Sequence, residues 1–209
     1  MNMPALIPET TVNEMFFLYE KYGKKHSKGQ PISPLEQVSQ AAALAEEEGY
    51  EDEVILAAFF HNIGSICTDT EHGNNHSPMA SFDQEKLGAN YLRELGFSER
   101  LATLVESDLQ ATRYLAYKYP EYYERLSDDE KTQLSIRGGR MSRQEAANFE
   151  LDPDAEIFVR LRYLNDKAKE VRKPILNISH IKLLAMSHLY KIMDRYAPAF
   201  LVPKPIIQP

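Results

Sequence analysis

Residues 54–65 read Val54-Ile55-Leu56-Ala57-Ala58-Phe59-Phe60-His61-Asn62-Ile63-Gly64-Ser65. An unbroken apolar run ends in one imidazole and one carboxamide. A helix that is apolar all round is a buried helix. One that ends in a polar pair points that pair into a pocket. The plainer alternative is a core histidine satisfied by its neighbours.

Outward from this run the sequence reads as helices with marked ends. Residues 1–12 form an extended arm, and Val12–Tyr22 carries Met15, Phe16, Leu18 and Tyr19 at helical spacing. Ser33-Pro34-Leu35-Glu36 is a capping box with proline at the first helical position, and that helix stops at Gly49. Gln37 falls in its first turn. The apolar run and its polar end are expected within one helix, Tyr50–Asn62, followed by an exposed loop over Ser65–Ser81. That loop's Asp69, Glu71, His72 and His76 fit no metal-site spacing.

Gln84–Leu95 reads as a helix ended by Gly96. Ser98 caps the next, which is expected to run unbroken to Tyr119 with Asp108 mid-helix. Ser127/Glu130 and Ser142/Glu145 are further capping boxes, and Gly138-Gly139 is a tight turn. A helix from Asp152-Pro153 to about Glu170 presents Arg162 and Asn165 on one face. A last amphipathic helix spans Ile178–Tyr196, and a proline-rich tail covers 197–209. The expected fold is all-α, a single helical domain over residues 13–196.

The chain has 209 residues, 43 % of them hydrophobic and 26 % charged, which suits one soluble domain with a sizeable core. A net charge of −7 argues against nucleic acid as a partner, because a phosphate backbone demands a basic surface. No apolar run approaches the ~18 residues of a membrane span. The start, MNMPALIPETT, lacks the features of a signal peptide, so a cytoplasmic location is expected. The lone cysteine, Cys67, has no sequence feature marking a base beside it.

The words AAFFHNIGS, Gly29-Gln30-Pro31-Ile32-Ser33, Arg113-Tyr114-Leu115, Gly138-Gly139, Met141-Ser142 and Asp166-Lys167-Ala168-Lys169 point further. Over roughly residues 15–170 they resemble the HD-domain superfamily, in the branch of the mixed-valent di-iron oxygenases that degrade phosphonates. That branch is often labelled HD phosphohydrolase. The resemblance implies an all-helical fold and a di-iron centre with six ligand positions. Here those positions carry Gln37, His61, Asn62, Gln84, Asp108 and Asn165. Only His61 keeps the residue type. The positions of the iron-capping tyrosine and the lid glutamate carry Ser27 and Gln30, and that of the phosphonate-binding lysine carries Thr112. A substrate-contacting serine is replaced by Glu130, while Gln133 and Arg162 are retained.

Iron takes imidazoles and carboxylates, and a pair of iron ions needs anionic ligands to balance its charge. Four neutral amides do not supply that charge. The expectation is therefore a protein that keeps the frame without the di-iron site and without a resident cofactor. It would bind a small polar or anionic molecule, or act as a partner or regulatory protein, with a homo-oligomer open. The alternative is an enzyme with a rebuilt site, metal-free or holding at most a single weak metal. There His61 and Asp108 serve as acid and base and Arg162 as an anion anchor. The pocket set is Gln37, Asn62, Gln84, Thr112, Gln133, Arg162 and Asn165.

Overall fold

A computed structural model describes residues 7–24, 32–68, 83–170 and 177–196. The expectations about Ser27, Gln30, the loop residues Asp69, Glu71, His72 and His76, and the tail fall outside them.

The described residues form twelve helices and no strand. They are α1 (Pro8–Tyr22), α2 (Pro34–Glu47), α3 (Asp52–Phe60), α4 (Ile63–Thr68), α5 (Gln84–Glu94) and α6 (Glu99–Glu106). There follow α7 (Asp108–Lys118), α8 (Pro120–Arg125), α9 (Asp128–Ile136), α10 (Arg143–Phe149), α11 (Ala155–Glu170) and α12 (Ile178–Tyr196). The fold is all-α, and no described helix is long and apolar enough to cross a membrane.

α3 sits at the centre, packed on α2, α6, α11 and α12. Val54 to Phe60 are all buried, as an uninterrupted apolar run requires. Phe59 and Phe60 pack with Phe16 and Tyr19 of α1, at ring-centroid separations of 5.0 to 6.4 Å. The Tyr19 hydroxyl donates to the Phe59 carbonyl at 3.3 Å, so the one polar atom of this aromatic group has a partner.

The helix ends follow the local chemistry. Ser33, Ser127 and Ser142 each accept from the third residue of their helix, and Glu36, Glu130 and Glu145 return the bond. Gly138 and Gly139 have φ of +103° and +67°, a left-handed turn that side chains disfavour.

Four boundaries differ from expectation. α1 begins at Pro8, because proline fits the first helical position and Thr11 and Val12 are buried there; residues 8–12 are helix, not arm. The signature helix stops at Phe60, and α4 restarts at Ile63 on the Asn62 carbonyl, so 65–68 is helix rather than loop. The long helix after Ser98 breaks at Ser107, whose hydroxyl donates to the Leu104 carbonyl at 2.7 Å and competes with the helix ladder. That break puts Asp108 at the N-terminal end of α7 rather than mid-helix, where the helix dipole favours a carboxylate. Pro120 ends α7 and also opens α8.

Candidate functional site

The break after Phe60 leaves His61 and Asn62 half-buried between two helices. His61 Nδ1 lies 2.8 Å from the Ala58 carbonyl oxygen. A carbonyl only accepts, so Nδ1 carries the proton and Nε2 the lone pair. Burial lowers the His61 pKa below its ordinary 6.5, and the nearby Asp108 charge offsets this only in part. His61 is therefore a neutral imidazole near pH 7.

Asn62 Nδ2 donates to the Pro34 carbonyl at 3.4 Å, which ties the end of α3 to the start of α2. Gln37 sits half-buried one turn along α2 from that contact. Gln84 opens α5, and its backbone lies against Gly64 of α4. On the other side, Asp108 accepts from Arg162 Nη1 at 2.9 Å and from Asn165 Nδ2 at 3.1 Å. Thr112 spends its hydroxyl on the Asp108 backbone carbonyl, at 2.9 Å.

Arg162 is held from two sides. Besides Asp108, it donates to Asp166 at 2.6 and 3.1 Å and to the Tyr122 hydroxyl at 3.0 Å. The Tyr122 hydroxyl in turn donates to Asp166 at 3.0 Å. Burial, followed by Asp166, pushes the Tyr122 pKa up to about 12, so the phenol keeps its proton. Burial would raise the Asp108 pKa, but Arg162, then His61, outweigh it and hold the carboxyl below its ordinary 3.8.

Arg162 and Asn165 thus hold Asp108 on its ionised side, and two carboxylates engage Arg162, the residue expected to anchor an anion.

A cavity of about 250 Å³ opens beside this pair. Asp108, Thr112, Gln133 and Arg162 line it, Gln133 from an exposed position. Asn165 stands behind Asp108. Gln37, His61, Asn62 and Gln84 are not among its lining residues. Its cations are committed: Arg162 as above, Lys169 to Glu130 at 3.1 Å, and Arg137 to Glu85 in a two-pronged pair. Four lining carboxylates face these three cations, so an anion gains no unpaired counter-charge.

The unpaired groups are mostly acceptors. Asn62 Oδ1 and Asn165 Oδ1 are buried without a hydrogen-bond partner among the described residues, as is one donor, Arg137 Nε. The amide orientations are secure, because each Nδ2 faces an atom that can only accept. An unmade buried hydrogen bond costs about 1–3 kcal/mol, so these oxygens, with His61 Nε2, suit a partner that donates.

The donor set does not fit the metal pair that the resemblance implies. Four of six positions are neutral amides, and the single carboxylate, Asp108, already accepts from Arg162 and Asn165. No three His, Cys, Asp or Glu side chains among the described residues are grouped to hold a metal ion.

Sequence reasoning missed Tyr122, Asp166 and Lys169 as parts of this arrangement. The four-residue spacing of Arg162 and Asp166 on one helix was a usable signal. Nothing local marks Tyr122, which lies 40 residues from Arg162.

The two shifted groups act on stability in the same direction. His61 binds a proton more weakly folded than unfolded. Its contribution is full above pH 6.5 and is lost as pH falls below it. That of Asp108 is present above 3.8 and is lost as pH falls through its lower folded value. The urea midpoint is expected to fall from about pH 7 to about pH 5, and the fall should be shallower in His61→Gln. An unchanged slope in that variant would assign the effect to other groups.

No family model matches the chain. It is 32 % identical over 188 residues to Uncharacterized protein L432 of Acanthamoeba polyphaga mimivirus, covering 90 % of this chain and 85 % of that one. It is 30 % identical over 158 residues to a glycine-betaine-forming 1-hydroxy-2-(trimethylamino)ethylphosphonate dioxygenase of Leisingera caerulea, covering 73 % and 76 %. It is 29 % identical over 178 residues to a hydroxymethylphosphonate dioxygenase of Gimesia maris, covering 84 % and 88 %.

Proposed function

This chain belongs to the family of these phosphonate dioxygenases, and from that premise we propose that it is an enzyme of the family with a rebuilt site, one that does proton-transfer chemistry on a small polar molecule. The substrate presents hydroxyl or other donor groups to Asn62 Oδ1 and Asn165 Oδ1. His61 Nε2 removes one proton. The fixed negative charge of Asp108 stabilises the imidazolium that forms. Arg162 and Asn165 hold that charge in place, and Tyr122 accepts from Arg162 behind it.

The observation that carries this reading is the commitment of Asp108 to Arg162 and Asn165 beside a neutral imidazole. It leaves a base with a usable lone pair and removes the one carboxylate among the six positions from metal duty. A second reading, binding or regulation without turnover, is favoured by the cavity itself, whose lining excludes His61.

The test begins with metal content. Protein expressed with added iron and purified without chelator should carry less than about a tenth of an equivalent. A thermal-shift screen of polyols, amino alcohols and hydroxyphosphonates should then identify a stabilising polyol or amino alcohol. His61→Ala should abolish its turnover and keep its binding. About one or two equivalents of iron, with oxygen consumed on a hydroxyphosphonate, would overturn the reading. Binding without turnover in the wild type would select the second one.

A further inference from the structure

A second cavity, of about 670 Å³, adjoins this site between α7–α8 and α11 and shares Leu126, Glu130 and Lys169 with the smaller one. Its volume falls in the range of about 300–1,000 Å³ that small-molecule sites occupy. Tyr122 and Asp166 line it and also hold Arg162, so they form the wall between it and the Asp108–Arg162 pair.

Four phenol rings line this cavity: Tyr50, Tyr119, Tyr122 and Tyr163. Tyr119 and Tyr163 are 45 % and 48 % exposed, which is high for large aromatic side chains. Beside the rings stand Glu121, Glu156 and Glu170, whose side chains make no hydrogen bond or ion pair among the described residues. Of the four lining cations, Arg160 is tied to Glu48 at 2.8 Å, Lys169 to Glu130 and Asp166, and Arg125 Nε to the Glu121 carbonyl at 3.3 Å, while Lys167 has no carboxylate partner among the described residues and lies 5.8 Å from the Tyr163 ring centroid. With three unpaired carboxylates against Lys167, the uncommitted charge is negative on balance and surrounds π faces. One such face already draws a cation, since the Arg160 guanidinium lies 4.7 Å from the Tyr163 ring centroid.

We propose that this cavity is a binding site for a small organic cation, an ammonium or guanidinium on a compact apolar body. The cation sits against the tyrosine faces and is balanced by Glu156 and its neighbouring carboxylates. The apolar body packs on Leu115, Leu126 and Val159. An anion of the same shape meets the carboxylates and is repelled. A neutral analogue loses both the charge and the ring attraction.

Calorimetric titration of the full chain tests this, with benzyltrimethylammonium as the probe and phenylacetate and benzyl alcohol as the anionic and neutral matches. Saturable one-site binding of the cation is expected, roughly tenfold or more tighter than either match. Tyr163→Ala and Glu156→Gln should each weaken it roughly fivefold or more. Both side chains are exposed, so the melting temperature of each variant should stay that of the wild type. His61→Ala should leave the affinity unchanged. The proposal is overturned by absence of saturable binding, by equal binding of phenylacetate, by binding that survives both lining variants, or by loss of binding in His61→Ala.

Discussion

Arg162→Leu is expected to destabilise the fold by about 3–5 kcal/mol, the usual cost of removing one partner from a buried ion pair. The Arg162 side chain is 12 % exposed and that of Asp108 17 %. The substitution strands Asp108 with only the Asn165 amide and leaves Asp166 and Tyr122 without their shared donor. Asp166 is 31 % exposed and recovers water, so its share is small. Most of the cost sits on Asp108. Adding Asp108→Asn should therefore return part of the loss, because a neutral amide is cheaper to bury than an unpaired carboxylate. Urea unfolding of the two single variants and the double variant measures this as a cycle. An Arg162→Leu protein within 1 kcal/mol of the wild type, a threshold of about the size of an exposed ion pair, would show that water, not Arg162, balances Asp108.

Gly64→Ala should cost about 3 kcal/mol or more, the upper part of the overpacking range. A Cβ on Gly64 would lie 1.8 Å from the Gln84 carbonyl oxygen and 2.9 Å from the Gly88 nitrogen. These are backbone atoms, so no side-chain rotation relieves the clash and α4 must move off α5. The facing glycine has the same constraint: a Cβ on Gly88 would lie 2.9 Å from the Gly64 nitrogen. A lowered urea midpoint with an unchanged slope is the expected signature. A wild-type midpoint would mean that the two helices do not approach this closely. The contact bears on the site, because it sets the Gln84 backbone against Gly64, two residues after Asn62.

Much of the scaffold was legible locally. The three Ser…Glu boxes, the Gly138-Gly139 turn and the limits of α12 depend on neighbouring residues, and those signals agree with the fold. The break at Ser107 was not legible. A serine in an amphipathic run carries no sign that its hydroxyl will turn back on the Leu104 carbonyl. An arm was expected over residues 1–12 and a helix end at Tyr119, yet Pro8 and Pro120 each open a helix, because the φ of proline suits the first helical position.

The sequence by itself determined the helical class and the buried α3 with its polar end. These follow from residue type and short-range periodicity, whereas the loss of carboxylates at the six positions is what the family resemblance implies. The tertiary structure alone decided what the remaining groups do. Asp108 and Arg162 are 54 residues apart, and Asp108 and Asn165 are 57 apart. Their pairing holds Asp108 as an anion against Arg162 and tethers the Arg162 cation. A side chain's charge state and free valences depend on the partners that folding brings within about 3 Å, and helix packing, not local sequence, supplies those partners.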